Sequence, residues 1–108
     1  MEKFGLKKTT IHSINSVFES HPNIERSLIY GSRAKGNFRT GSDIDLTLFG
    51  EKLTLSELLK IENELDDLML PYKIDISIFH KIESRNLTDH IQRIGKEFYS
   101  LTQPVDKR

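Results

Sequence analysis

Residues 43–48 read Asp-Ile-Asp-Leu-Thr-Leu, and residues 73–79 read Lys-Ile-Asp-Ile-Ser-Ile-Phe. Each run alternates polar with apolar residues, the period of a strand with one buried face. Side chains at i and i+2 share a face, so Ile44, Leu46 and Leu48 point to a core while Asp43, Asp45 and Thr47 point away from it. In the second run Ile74, Ile76 and Ile78 form the apolar side, and Asp75 and Ser77 lie opposite. If the two strands neighbour each other over one core, three aspartates share the open face, with no basic residue on either strand's polar side. Carboxylates at i and i+2 sit roughly 6.5 Å apart along a strand, and they repel if both stay ionised. A hard divalent cation removes that penalty, because carboxylate oxygens are what Mg²⁺ prefers. The D-x-D pair alone could be a wet strand face. The third acid weighs against this, because a folded domain seldom gathers such charge without a cation to neutralise it.

Upstream, residues 24–30 read as another strand, with Ile24, Leu28 and Tyr30 in phase on one side. Gly31-Ser32 breaks it, and Ser32 is placed to cap a short helix that begins there. A strand, a small-residue turn and a helix start together offer free N–H groups to an anion, and Gly31 lets a phosphate approach the backbone. A plain Ser-capped helix is the competing reading of Gly-Ser by itself. The turn is no P-loop, since G-x-x-x-x-G-K-[ST] is absent, and no dinucleotide fingerprint, since G-x-G-x-x-G is absent. Residues 36–42 form a loop rich in turn formers. Lys35 and Arg39 flank the expected phosphate position, and Ser42 either touches a phosphate or closes the turn. Arg33 is expected to pair with a carboxylate of the scaffold.

The remaining segments read as helices. Residues 7–20 carry Ile11, Ile14, Val17 and Phe18 on one face, with Thr9 or Thr10 as cap and His21-Pro22-Asn23 as terminator. Thr54-Leu55-Ser56-Glu57 is a capping-box pattern. It opens a helix to about residue 70, with Leu55, Leu58, Leu59, Leu65, Leu68 and Met69 inward and its acids (Glu57, Glu62, Glu64, Asp66, Asp67) on a solvated face. Leu87, Ile91, Ile94 and Phe98 mark a last amphipathic helix, weakened at Gly95, and residues 103–108 form a frayed tail.

A chain of 108 residues suits one domain. Zero formal net charge argues against an extended nucleic-acid footprint. The absence of cysteine removes disulfides and thiolate metal sites. His12, His21, His80 and His90 lie far apart without ligand spacing and read as structural or surface residues. No signal peptide opens the sequence and no apolar run nears membrane-spanning length, so a soluble cytoplasmic protein is expected.

Gly31-Ser32, ten intervening residues, Asp43-Ile44-Asp45 and then Asp75 within Lys-Ile-Asp-Ile-Ser resemble the nucleotidyltransferase superfamily pattern, G-S-x10-D-x-D with a downstream Asp. More narrowly, the chain resembles the minimal nucleotidyltransferases (MNT), short proteins of which many are antitoxins encoded beside a HEPN-domain partner. The resemblance implies an α/β (α+β) fold, a small mixed sheet of three to four strands with helices, like the polymerase-β catalytic domain. It implies one domain over residues 1–108 with the motif core at 28–79. It also implies that Asp43, Asp45 and Asp75 hold two Mg²⁺ ions (Mn²⁺ being the alternative) and that Gly31 and Ser32 hold the β- and γ-phosphates of ATP. The acceptor it implies is a tyrosine of a HEPN-type toxin, which receives AMP within a hetero-oligomer. Two other readings stand beside it. One is a binding module that masks its partner with little catalysis. The other is a transferase for a small-molecule hydroxyl such as an antibiotic's, which so short a chain leaves little room to bind. Strand order and direction stay open.

Overall fold

In the computed structural model, which describes residues 2–101, both alternating runs are strands of one four-stranded sheet. In chain order the elements are β1 (Glu2–Lys3), β2 (Leu6–Lys7), α1 (Lys8–Glu19), β3 (Arg26–Tyr30), α2 (Gly31–Lys35), β4 (Ile44–Phe49), α3 (Leu55–Asp66), β5 (Ile74–Ile78), α4 (Arg85–Ile94) and β6 (Lys96–Ser100). The sheet order is β5-β4-β3-β6. β3 is antiparallel to β4 and to β6, whereas β4 and β5 run parallel. The sheet is therefore mixed, and the parallel pair needs the crossover that α3 supplies. β1 and β2 form a separate two-stranded hairpin that the sequence pattern does not reveal.

Register assigns the two faces. Ile29 pairs with Leu46, which pairs with Ile76, and Ser27 pairs with Leu48, which pairs with Ile78. This face carries the main core with Ile14 and Phe18 of α1 and Ile61 and Leu65 of α3. Each fully buried Leu, Ile or Phe contributes roughly 1.5–3 kcal/mol. The opposite face holds Tyr30, Asp45 and Asp75 in one row and Leu28, Thr47 and Ser77 in the next. The expected phase of β3 is therefore corrected: Ser27 and Ile29 face the main core, and Leu28 and Tyr30 face the other way, towards α4. Ile24 is buried, but ahead of the strand.

Several local expectations change. Lys7, not a threonine, precedes α1, and it makes no side-chain cap. Thr54 does cap α3, accepting the Glu57 N–H at 3.2 Å. The helix stops at Asp66, and Met69 turns out at φ 57° and is 85% exposed. Leu55 and Leu59 also face outward, and it is Ile61 that the core takes up. The last helix ends at Ile94: Gly95 caps it, its N–H donating to the Ile91 carbonyl at 2.7 Å before the chain turns away at ψ 143°, and it packs where a Cβ would meet that carbonyl and Leu28. Residues 96–100 then form an edge strand. Its register slips opposite Ser27 and Leu28. Such a bulge lets two successive residues turn inward, and both Phe98 and Tyr99 are buried. The expected frayed tail at residues 103–108 lies outside the described residues.

Two of the acids read as solvated do structural work. His21 ends α1 almost fully buried, with Nδ1 2.9 Å from Glu57 and Nε2 2.9 Å from Glu64. Both ring nitrogens face carboxylates, so the ring makes both bonds only as the imidazolium. Burial opposes that charge, but the bonds and charges of Glu64 and Glu57 outweigh it and raise the His21 pKa above its usual value. Glu57 is lowered, first by the Asn23 amide and then by His21. The clasp ties the end of α1 to α3.

The folded state binds the His21 proton more tightly than the unfolded chain, so this stability is complete below about pH 6 and fades as pH rises through the raised pKa. The Glu57 contribution runs the other way, present above the ordinary carboxylate range and lost on acidification. His21→Gln should therefore lower Tm most near pH 6, by roughly 4–8 °C if the clasp is worth about 1 kcal/mol. The gap should shrink by pH 9, and a gap independent of pH would show that the charged pair contributes nothing.

Candidate active site

The acidic face forms where three elements end together. β4 and β5 pair in register, so Asp45 lies directly beside Asp75 on strands spaced about 4.8 Å apart. Tyr30, the last residue of β3, is the other neighbour of Asp45. Asp43 stands just before β4 and is exposed. Gly31 follows Tyr30 with φ +74°, a conformation glycine adopts freely. A Cβ built there would collide with the Asp45 carboxylate. The position thus needs glycine twice over, for its backbone angle and for its contact with the acid.

Below the aspartates the face is closed by hydroxyls. The Ser77 hydroxyl donates to that of Thr47 at 3.0 Å, and Thr47 is fully buried. The pKa of the nearby Tyr30 phenol is raised by burial and then by the charge of Asp45. Asp45 itself is raised, first by burial and then by Asp75 and Asp43, while His90 and Lys73 pull it down. Two cationic or potentially cationic groups therefore border the acids, contrary to the expectation that the strands' polar side carries none. Lys73 shares the phase of Asp75. His90 arrives from α4.

His90 is the site residue that sequence reasoning passed over. Its Nε2 accepts the Gly31 N–H at 3.3 Å, and its ring stands edge-on to Tyr30, with centroids 6.1 Å apart at 79°. A signal for it exists: Leu87, Ile91 and Ile94 form the apolar stripe of the helix, and His90 lies within that stripe.

Ser32 does not cap a helix. Tyr30 holds the N-cap position of α2 without a side-chain bond, and Ser32 lies inside the first turn, partly exposed. Ser42 closes its loop: its hydroxyl accepts the Arg39 N–H at 2.8 Å, and its own N–H donates to the Arg39 carbonyl at 2.9 Å. Arg33 pairs with carbonyls instead of a carboxylate. It is 3% exposed, donating to the Ser42 carbonyl at 2.8 and 3.1 Å and to the Phe4 carbonyl at 2.9 Å. Its guanidinium also lies over the Phe38 and Tyr72 rings. This buried cation ties the N-terminal hairpin to the loop that delivers Asp43. Lys35 is exposed at the end of α2, where it lines a groove of about 510 Å³ with Arg93 and Lys96.

The donor set fits a hard divalent cation. It is all carboxylate oxygen, mutually repelling, and next to a backbone that leaves no room for a side chain at residue 31. Among the described residues, no three His, Asp or Glu side chains already close around a point as a metal cage would. Among the same residues, no helix is long and apolar enough to cross a membrane.

Comparison with known proteins identifies the family and the fold. The sequence profile described as polymerase beta, nucleotidyltransferase matches residues 12–103. No curated protein sequence matches the chain. A toxin–antitoxin structure with AMP-PNP superposes with a TM-score of 0.68 at 18% identity, covering 88% of this chain and 74% of that one. The MntA–HepT toxin–antitoxin structure gives a TM-score of 0.65 at 14% identity, over 87% and 73% of the two chains. A tri-AMPylated Shewanella oneidensis HEPN toxin in complex with an MNT antitoxin gives 0.66 at 14% identity, over 88% and 73%. At these identities the likeness is one of fold.

Because Asp45 is partly buried beside two like charges, Asp45→Asn should raise the Tm of the metal-free protein at pH 7, as relief of stored repulsion does. A lower Tm would show that the carboxylate is favourably held and that the repulsion is absent.

Proposed function

The chain belongs to the polymerase beta nucleotidyltransferase family, and from that membership and the geometry of the acidic face we propose that it transfers AMP from ATP to a tyrosine hydroxyl of a HEPN-type toxin, thereby acting as an antitoxin. The observation that carries the reading is the in-register placement of Asp45 beside Asp75, next to the glycine that abuts Asp45. Asp43, Asp45 and Asp75 would hold divalent cations, Mg²⁺ or Mn²⁺, which when bound neutralise the triphosphate and the leaving group. Gly31, lacking a side chain, lets the Asp45 carboxylate come up against the turn, and the N–H and hydroxyl of Ser32 bind the β- and γ-phosphates. The acceptor oxygen bonds to the α-phosphorus, the bond to the β-phosphate bridge breaks, and pyrophosphate leaves. The acceptor proton passes to Asp75, which is exposed beside Asp45. Ser42 closes its loop by accepting the Arg39 N–H, and its hydroxyl keeps a proton with which to meet a phosphate. Lys73 offsets part of the charge that accumulates.

Asp43 and Asp75 are exposed, which suits an acceptor carried by another chain. The relatives of this fold include complexes of MNT antitoxins with HEPN toxins, one toxin being AMPylated. They also include a toxin–antitoxin structure with an ATP analogue. Residues 1–108 act in this reading as a single catalytic domain.

The test is to incubate the chain with a HEPN-type toxin, MgATP and a mass spectrometer as readout. AMP should appear on a toxin tyrosine, and Asp45→Asn should cut the rate at least about a hundredfold, equivalent to roughly 3 kcal/mol of lost transition-state stabilisation. Undiminished transfer by Asp45→Asn would refute the site. Relief of toxicity by complex formation, with no transfer by either protein, would make this a masking antitoxin instead.

A further inference from the structure

His90 belongs to α4, an element outside the motif residues, yet it reaches the Gly31-Ser32 turn. Ile91 is fully exposure-free and anchors the helix, and Gly95 closes its end on Leu28. The ring is only partly buried and directs Nε2 at the Gly31 N–H, 3.3 Å away. That N–H opens α2 and has no partner within the helix. As acceptor, Nε2 carries the lone pair and the ring proton sits on Nδ1. The other side of the same glycine abuts Asp45. Tyr30, which meets His90 edge-on, is the strand neighbour of Asp45. The Gly31 peptide is thus held from the helix side by His90 and from the sheet side by the acid.

We propose that His90 is a positioning residue of the nucleotide site: by accepting the Gly31 N–H it fixes the Tyr30–Gly31 peptide plane, and so the entry into the turn from which Ser32 presents its N–H and hydroxyl to the phosphates. The proposal rests on the nucleotidyl-transfer reading above. Held this way, the turn is organised before nucleotide arrives, and the ordering is not drawn from binding. Because Ser32 contacts phosphates that do not react, loss of His90 weakens nucleotide binding more than it slows the chemical step.

Two variants separate positioning from packing. His90→Gln keeps an acceptor at about the reach of Nε2, and His90→Leu keeps apolar volume without one. Gly31 amide exchange and the MgATP dissociation constant are measured for both and for the wild type. In His90→Leu the Gly31 amide should exchange faster and the dissociation constant should rise roughly five- to tenfold, the size of one neutral hydrogen bond. His90→Gln should recover both to within about twofold of wild type. An unchanged dissociation constant in His90→Leu, or equal weakening in the two variants, overturns the proposal, because the ring would then serve packing alone. Failure of the wild type to bind MgATP overturns the transfer reading and this proposal with it, whereas faster exchange without weaker binding overturns only the positioning role.

Discussion

The parallel, in-register pairing of β4 with β5 is the constraint on which the site depends. A slip of one residue would exchange the faces of β5, turning Asp75 into the apolar layer and Ile74 and Ile76 into solvent. Ile44, Leu46, Leu48 and Ile78 are buried in the core, and Ile74 and Ile76 pack against it; fully exposing two such side chains would cost about 3 kcal/mol or more, which resists the slip. The pairing that stabilises the fold therefore also brings Asp45 and Asp75 together. Their repulsion is carried by the core and need not be relieved locally.

The two faces of the sheet divide the work. One carries α1, α3 and the apolar layer, locked at its margin by the His21 clasp. The other carries the acids, the hydroxyls beneath them and α4. Partial burial raises the Asp45 pKa, a sign that this face is arranged against its own electrostatic preference. Strain of this kind, tolerated where chemistry is done, is the usual signature of a site that a charged ligand completes. Arg33 shows the same economy in reverse. Its charge is buried without a carboxylate, satisfied by two carbonyls and two rings, and it leaves the acids of the site unpaired.

Much of this was legible along the chain. Period-two alternation identified β4 and β5 and the aspartate face, because a strand's side-chain direction is set by local backbone geometry alone. Thr54 announced the start of α3 because a cap is a contact between residues three apart. Legibility failed where the deciding contact is distant. Leu28 and Tyr30 appeared to be the apolar side of β3, but register with β4 turned Ser27 and Ile29 inward. Phe98 fitted the helical period of α4, but the chain leaves the helix at Gly95 and residues 96–100 pair with β3 at the sheet edge. Leu59 was read as inward and Ile61 was not, but the core took Ile61 and left Leu59 exposed.

By itself the sequence determined the chemistry: the acids, their spacing, and a glycine before a serine at the end of a strand. These follow from local geometry, in which i and i+2 share a face and glycine adopts the backbone angle at residue 31 without strain. The tertiary structure alone decided direction and company. It made β4 and β5 parallel, set Asp45 level with Asp75, brought His90 to Gly31 across 59 residues of chain, and buried Arg33 beneath the loop. Such pairings depend on which surfaces meet when the apolar layer closes, and that is a property of the whole chain rather than of any segment.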